Sequence, residues 1–275
     1  MRTSAFHSHR WMFIWIKENK MRRVTALLLA VGLSVAAFAA DDAKMTTHAE
    51  LSYANTGGNT ESQDVAGNLK MNIPFYKNAV RFEGNVLYSN NDNFDVNGSY
   101  LNTTTTKNRW DAVLNYDYNF NDTWAFNYLA GAKGDKFSSF VYQAYTGPGF
   151  IWTTFKNESH DLKFQGNLLW AWDEHRQPYE ADNNDTMHSY AAYQLTMDYS
   201  YQITETTKFI QYLMYRSEFE DTTNYFGKSK TALEAKMSDI FSLGLSYTID
   251  YTNNKASDVT SHVDSVFLAS LIADF

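Results

Sequence analysis

Cysteine is absent from the 275-residue chain, which excludes disulfide staples, cysteine-ligated zinc and thiol nucleophiles. Proline is down to 3 residues. Beyond residue 39 no stretch approaches the roughly 20 consecutive apolar residues of a spanning helix, so any passage through a membrane must be made by strands. Basic groups are the minority charge, 23 against 31 acids. What the chain has in quantity is rings: 19 Tyr, 19 Phe and 7 Trp, at a mean hydropathy of −0.46. It is polar on average and aromatic throughout.

The N-terminal region is built for export. From Met21, the run "MRRVTALLLAVGLSVAAFAADD" has a basic start (Arg22, Arg23), an apolar stretch from Val24 to Phe38, and small residues at Ala37–Ala39. That pattern reads as a secretory signal peptide over 21–39, cleaved after Ala39. The run is short for a membrane anchor and has no stop-transfer cluster after it. Residues 1–20 precede a second methionine in the position of a true start, and read as an extension or an over-called start. Cleavage would remove Arg2, Arg10, Lys17, Lys20, Arg22, Arg23 and Glu18, leaving 17 basic and 30 acidic residues and a formal charge of −13. Such an acidic surface disfavours nucleic acid as a partner.

Residues 40–275 repeat one unit, an alternating strand followed by a turn. Apolar positions recur at every second residue: Val65, Gly67, Leu69, Met71, Ile73; Trp110, Ala112, Leu114, Tyr116, Tyr118; Leu162, Phe164, Gly166, Leu168, Trp170, Trp172. The residues between them are polar. A period of two marks a strand with one greasy face. A soluble sandwich shows the same alternation with that face inward. Two features favour a membrane instead. The segments run to ten or more residues, enough to cross a bilayer when tilted, where soluble strands average about five or six. Aromatics also gather at segment ends, as in Tyr116, Tyr118, Phe120 and Trp124, Phe126, the pattern of interfacial girdles.

The connections sort by length. Short links at 76–78, 121–123, 156–159, 204–206 and 238–239 alternate with longer ones: "TGGNTES", "SNNDNFDVNGSYLNT", "GDKFSS", "DEHRQPYEADNND", "EDTTNYFGK" and "TNNKASDVTSH". Short periplasmic turns alternating with longer outer loops are the mark of an outer-membrane barrel. The expected fold is therefore an all-β, antiparallel up-and-down transmembrane barrel of about twelve strands, with both termini periplasmic. Two strands are ambiguous. In "KFIQYLMYRSEF" both faces are partly apolar, and around "VYQAYTGPGFIWTTF" the alternation is expected to slip across Gly147-Pro148-Gly149, which reads as a kink in the wall rather than a site.

The chain closes on "DSVFLASLIADF", whose outward set is Phe267, Ala269, Leu271, Ala273 and Phe275. A last strand that must pair with the first cannot fray. Its terminal ring, with Leu271 and Phe267, also resembles the signature read by the outer-membrane assembly machinery, the partner expected during biogenesis. "AELSYANTGGNTESQDVAGNLKMN" at 49–72, "YTGPGF" at 145–150 and the closing strand together resemble the YdiY-like, salt-induced outer-membrane protein family, a group of unknown function. The resemblance implies an outer-membrane barrel and supplies no catalytic residue or ligand.

The polar face predicts a lumen lined by Lys70, Arg81, Glu83, Arg109, Asp111, Asp117, Lys163, Asp198 and Glu234. Acidic-oligosaccharide channels need rows of Lys or Arg. Here cations interleave with acids, Arg81 with Glu83 and Arg109 with Asp111, so neighbours are expected to neutralise one another. That suits a narrow, unselective or weakly cation-preferring channel, or a structural barrel without an open pore. A lipid hydrolase at the outer rim would need a His–Ser pair. The candidates are His188 with Ser189, which alternate to opposite faces, and His262 with Ser261 or Ser265; no enzyme is expected. Asp92, Asp95, Asp173, Glu174, Glu180, Asp182 and Asp185 place carboxylates in the outer loops, where divalent cations bridge lipopolysaccharide. No spacing matches a calcium loop, so these read as solvated. No metal or cofactor is expected, and the surrounding partners are outer-membrane lipid and lipopolysaccharide.

Overall fold

The computed structural model describes residues 45–56, 61–94, 100–176, 186–253 and 262–275. The expected extension at 1–20 and signal peptide at 21–39 lie outside the described residues, as do Asp95, Glu180, Asp182, Asp185 and Ser261. The described residues form twelve strands: β1 (Thr46–Thr56), β2 (Glu61–Phe75), β3 (Asn78–Phe94), β4 (Tyr100–Asn119), β5 (Trp124–Asp135), β6 (Phe140–Lys156), β7 (His160–His175), β8 (Met187–Gln202), β9 (Thr207–Glu218), β10 (Tyr225–Lys236), β11 (Phe241–Asn253) and β12 (Val263–Asp274). Each pairs antiparallel with its neighbours in sequence, and β12 returns to β1, closing the barrel. The strands run from 11 to 20 residues, long enough for a tilted crossing of a bilayer.

The wall has two unlike faces. Leu51, Leu114, Leu168, Leu195, Leu243, Leu245 and Leu271 stand exposed on its outside, an apolar belt that water would not tolerate. Rings border the belt at both ends. Toward the short turns lie Tyr116, Tyr118, Phe120, Trp124, Trp152, Phe155, Phe241 and Phe275, with Trp124 stacked on Trp152 at 5.8 Å. Toward the long loops, Tyr193, Tyr215, Tyr225 and Tyr251 form a chain with centroids 6.1, 5.7 and 5.5 Å apart. Amphipathic rings at two levels are the girdles of a membrane barrel.

The seam is fastened to its last residue. Phe275 N–H donates to Thr47 O (2.9 Å), and Thr47 N–H donates back to Phe275 O (3.0 Å). Inside the seam, His48 Nδ1 meets Asp274 Oδ1 at 2.7 Å, and Ser270 donates to Glu50. A closed wall leaves no strand edge for another chain to extend.

The turn end matches expectation, and its tightest hairpin carries strain. Tyr76 and Lys77 join β2 to β3, and Tyr76 sits at φ 56°, where glycine is preferred at the first central position of a two-residue hairpin. The loop end differs in one respect. The supposed loop "SNNDNFDVNGSYLNT" is mostly strand, since β3 runs to Phe94 and β4 starts at Tyr100. Asp92 is therefore in the ladder, accepting from Thr103. Asp173 and Glu174 likewise belong to β7. Alternation of side-chain type fades there because polar residues stand on both faces.

Both ambiguous strands resolve. β9 turns Phe209, Gln211, Leu213 and Tyr215 outward and Ile210, Tyr212, Met214, Arg216 and Glu218 inward, opposite Ser200, Asp198, Thr196, Gln194 and Ala192 of β8. The expected slip at Gly147-Pro148-Gly149 does not occur. β5 and β6 stay in one register from Lys133↔Gln143 to Trp124↔Trp152, and β6–β7 resumes the same register across the motif. The irregularities of β6–β7 fall at Phe140/Tyr142 and Thr153/Phe155 instead.

Candidate functional site in the lumen

All nine residues expected to line the lumen lie on the inner face, in three different settings. Nearest the turns the lumen is wet and its charges are paired. Lys70 Nζ lies 3.5 Å from Glu83 Oε1, with 47% and 42% of those side chains still exposed. Lys163 pairs with Asp161 at 3.0 Å and stands opposite Asp198. Glu234 sits opposite Lys208. Sequence neighbours are not the partners: Arg81 takes Asp117 rather than Glu83, through Nε at 2.5 Å and Nη2 at 3.2 Å.

Beside these pairs lies a buried amide network. Asn127, fully buried, donates from Nδ2 to Asp117 Oδ1 (2.7 Å) and Asn115 Oδ1 (3.1 Å). Its Oδ1 accepts from Asn167 Nδ2 (2.7 Å) and Gln165 Nε2 (3.0 Å). Arg81 Nη2 reaches Gln165 Oε1 at 3.3 Å. The network joins β3, β4, β5 and β7, and passes over β6 because Gly147 and Gly149 have no side chain there. A Cβ on Gly149 would stand 2.2 Å from Gly166 O and 2.4 Å from Asn167 Nδ2; one on Gly147 would stand 1.9 Å from Leu168 O. Pro148 faces outward, on the strand whose pairing with β7 is interrupted beside it. The motif is a close-approach device rather than a kink. Networks with every member satisfied rigidify their surroundings.

The third setting holds contacts that cross the lumen. Arg109 Nη1 binds Asp250 Oδ2 at 2.9 Å, linking β4 to β11, five strands away around the wall. Lys228 flanks the same carboxylate at 3.9 Å. Asp111, opposite Lys133, accepts from Asn85 Nδ2 at 2.7 Å. Lys107 Nζ crosses to Ser265 O at 3.0 Å, and Lys230 reaches Glu50 at 3.4 Å. Beside these lies a dry cluster. Arg216 stacks on Tyr145 (4.3 Å) and Phe226 (4.7 Å), and Lys133 from β5 lies 4.7 Å from the same Phe226 ring. Tyr145 in turn lies across Gly131, where a Cβ would come within 2.4 Å of its ring; a ring laid over a facing glycine is a recognised cross-strand device.

Arg216 and Phe226 are each 2% exposed. Taking a cation out of water costs several kcal/mol unless a counter-charge compensates, and a desolvated ring face returns about 2 kcal/mol. A second face of the lumen is apolar: Ala66, Leu87, Val266 and Leu268 pack together across β2, β3 and β12.

Among the described residues, the His–Ser pairings named for a hydrolase are not assembled. His188 Nε2 binds Glu218 Oε2 at 3.1 Å, while Ser189 is exposed on the other face. His262 Nδ1 meets Thr252 O at 2.9 Å, and Ser265 alternates outward. Among the described residues no group of three or more His, Asp or Glu could hold a metal ion.

Sequence reasoning missed Lys133, Gln143, Arg216 and Asp250. Lys133 was readable, since Trp124, Phe126, Tyr128, Ala130 and Ala132 alternate as the apolar face of β5 and leave it on the other. Arg216 was not, since β9 shows no clear greasy face.

The model of the family described as "Protein of unknown function, DUF481" matches residues 49–275. The chain belongs to this family. The resemblance to YdiY-like proteins is consistent with it. The DUF481 chain matches no curated protein sequence. Among solved structures it is similar to the NanC porin (14% identity, TM-score 0.45, covering 83% of this chain and 97% of that one). It is also similar to an outer-membrane channel from Pseudomonas putida F1 (8%, 0.47, 84% and 94%) and to the translocator domain of the autotransporter NalP from Neisseria meningitidis (7%, 0.45, 94% and 97%).

Proposed function

We propose that this DUF481 barrel resides in the outer membrane of a Gram-negative bacterium, exported through a cleaved signal peptide, and provides a narrow passage for small solutes or ions. Its closing strand, with Phe267, Leu271 and Phe275 outward, would be presented to the assembly machinery. Lipid and lipopolysaccharide would surround the apolar belt. The chemistry of the wall supports this reading: a greasy exterior between two girdles, and a polar interior that stays wet near the turns.

The observation that carries the word narrow is the Arg109–Asp250 bridge, which spans the lumen between strands on opposite sides of the wall. Small conductance steps are expected in planar bilayers, and replacing both residues, Arg109→Ala with Asp250→Ala, should enlarge them several-fold. Silent membranes from the wild type and the double variant alike would overturn the passage. They would instead favour a sealed structural barrel, the second reading, which the apolar contact of Leu87 with Val266 and Leu268 supports. A hydrolytic role forms no part of the proposal. The salt-induced response implied by the family resemblance is proposed with it; immunoblots of envelopes from cultures at rising salt should show increasing protein.

A further inference from the structure

We propose that Lys133, Arg216 and Gln143 form a binding site for a small hydroxylated carboxylate in the loop-side half of the lumen. Lys70, Arg81, Arg109, Lys163, Lys228 and Lys230 each have a carboxylate partner. Lys133 and Arg216 have only rings: among the described residues neither makes an ion pair or a hydrogen bond. Both converge on Phe226, each 4.7 Å from its centroid.

The polar atoms around them are unpartnered in a consistent way. Arg216 Nε is buried with no acceptor, and so is Gln143 Nε2, on residues 2% and 3% exposed. Gln143 stands directly opposite Lys133 in the β5–β6 register. The site is thus a set of donors without an acceptor. A carboxylate is the complement, since it is acceptor-only and its two oxygens match the planar fork of an arginine. One acceptor is also unpartnered. Asp173 Oδ1 is buried beside Gln143, its other oxygen taken by Tyr190 at 2.9 Å. That oxygen would repel a bare anion, but it accepts from a hydroxyl; hence a solute carrying both groups.

The proposal rests on the reading of the lumen as a passage that solutes enter, and the test separates the two. The full chain in detergent micelles is dialysed against radiolabelled D-gluconate, with sorbitol as a neutral competitor. Saturable uptake of one equivalent is expected, with no competition by sorbitol. Arg216→Met and Lys133→Met should each weaken it ten-fold or more, while Lys236→Met, which removes a cation at the turn end, should bind as wild type does. Because the two site variants lie on different strands, failure of one to fold leaves the other to decide. Their folded state is read from heat-modifiable electrophoretic migration. Absence of saturable uptake, equal affinity in a folded Arg216→Met or Lys133→Met, or full competition by sorbitol each overturns the site. Conductance steps without uptake would remove the site and leave the passage; uptake in a barrel that does not conduct would do the reverse.

Discussion

Two cations of the lumen, Arg81 and Arg216, are held in opposite ways. Toward the turns, Arg81 is held by Asp117 through two contacts and joined to a complete amide network. Toward the loops, Arg216 is more deeply buried and is held by the faces of Tyr145 and Phe226. A charge that is both buried and paired is a structural element. A charge buried against rings alone is stabilised only in part, so the protein retains there an interaction it does not itself complete. The first setting is built for rigidity and the second for recognition.

That contrast can be broken at its base. Placing a branched side chain at Gly149 would drive it into Gly166 O and Asn167, and backbone cannot retreat from a paired strand. Gly149→Val should cost about 3 kcal/mol or more, read as a lower urea midpoint for the membrane-embedded barrel, or as loss of the folded band. A smaller effect tests the paired cation. Asp117→Ala strips the partner from Arg81 and an acceptor from Asn127, and should destabilise by about 2 kcal/mol. Arg216→Met, which deletes a cation lacking a carboxylate, should leave the thermal midpoint equal or raised. If both variants lose stability equally, the two settings are not different in kind. The smallest effect lies outside the lumen. Tyr76→Gly relieves the left-handed residue of the β2–β3 turn and should raise stability by about 1 kcal/mol, provided the ring, almost wholly exposed, is not also an interfacial anchor. Calorimetry in lipid and in detergent distinguishes these, since anchoring would be lost in the latter.

Much of the architecture was legible because it is written in local chemistry. Lipid outside and water inside impose a period of two on every strand, so Trp110, Leu114 and Tyr116 already place Arg109, Asp111 and Asn115 on the other face. Legibility failed where that contrast fades. β9 carries the large side chains of Ile210, Tyr212 and Met214 inward, so its two faces look alike. At residues 89–94 and 100–103 polar side chains stand on both faces, and strand there reads as a loop. The Gly147-Pro148-Gly149 motif announces an irregularity, while its use depends on Asn167, which sits on the neighbouring strand.

Strand number, direction and face follow from the chain alone, since each rests on residues two apart and on turns between them. Partnership inside the barrel does not. Arg109 is adjacent in sequence to no residue that explains Asp250, and Lys133 and Arg216 meet over Phe226 only because closure and register bring β5, β9 and β10 to one level. A lumen is a place where distant strands face one another, and such pairings exist only once the wall has closed.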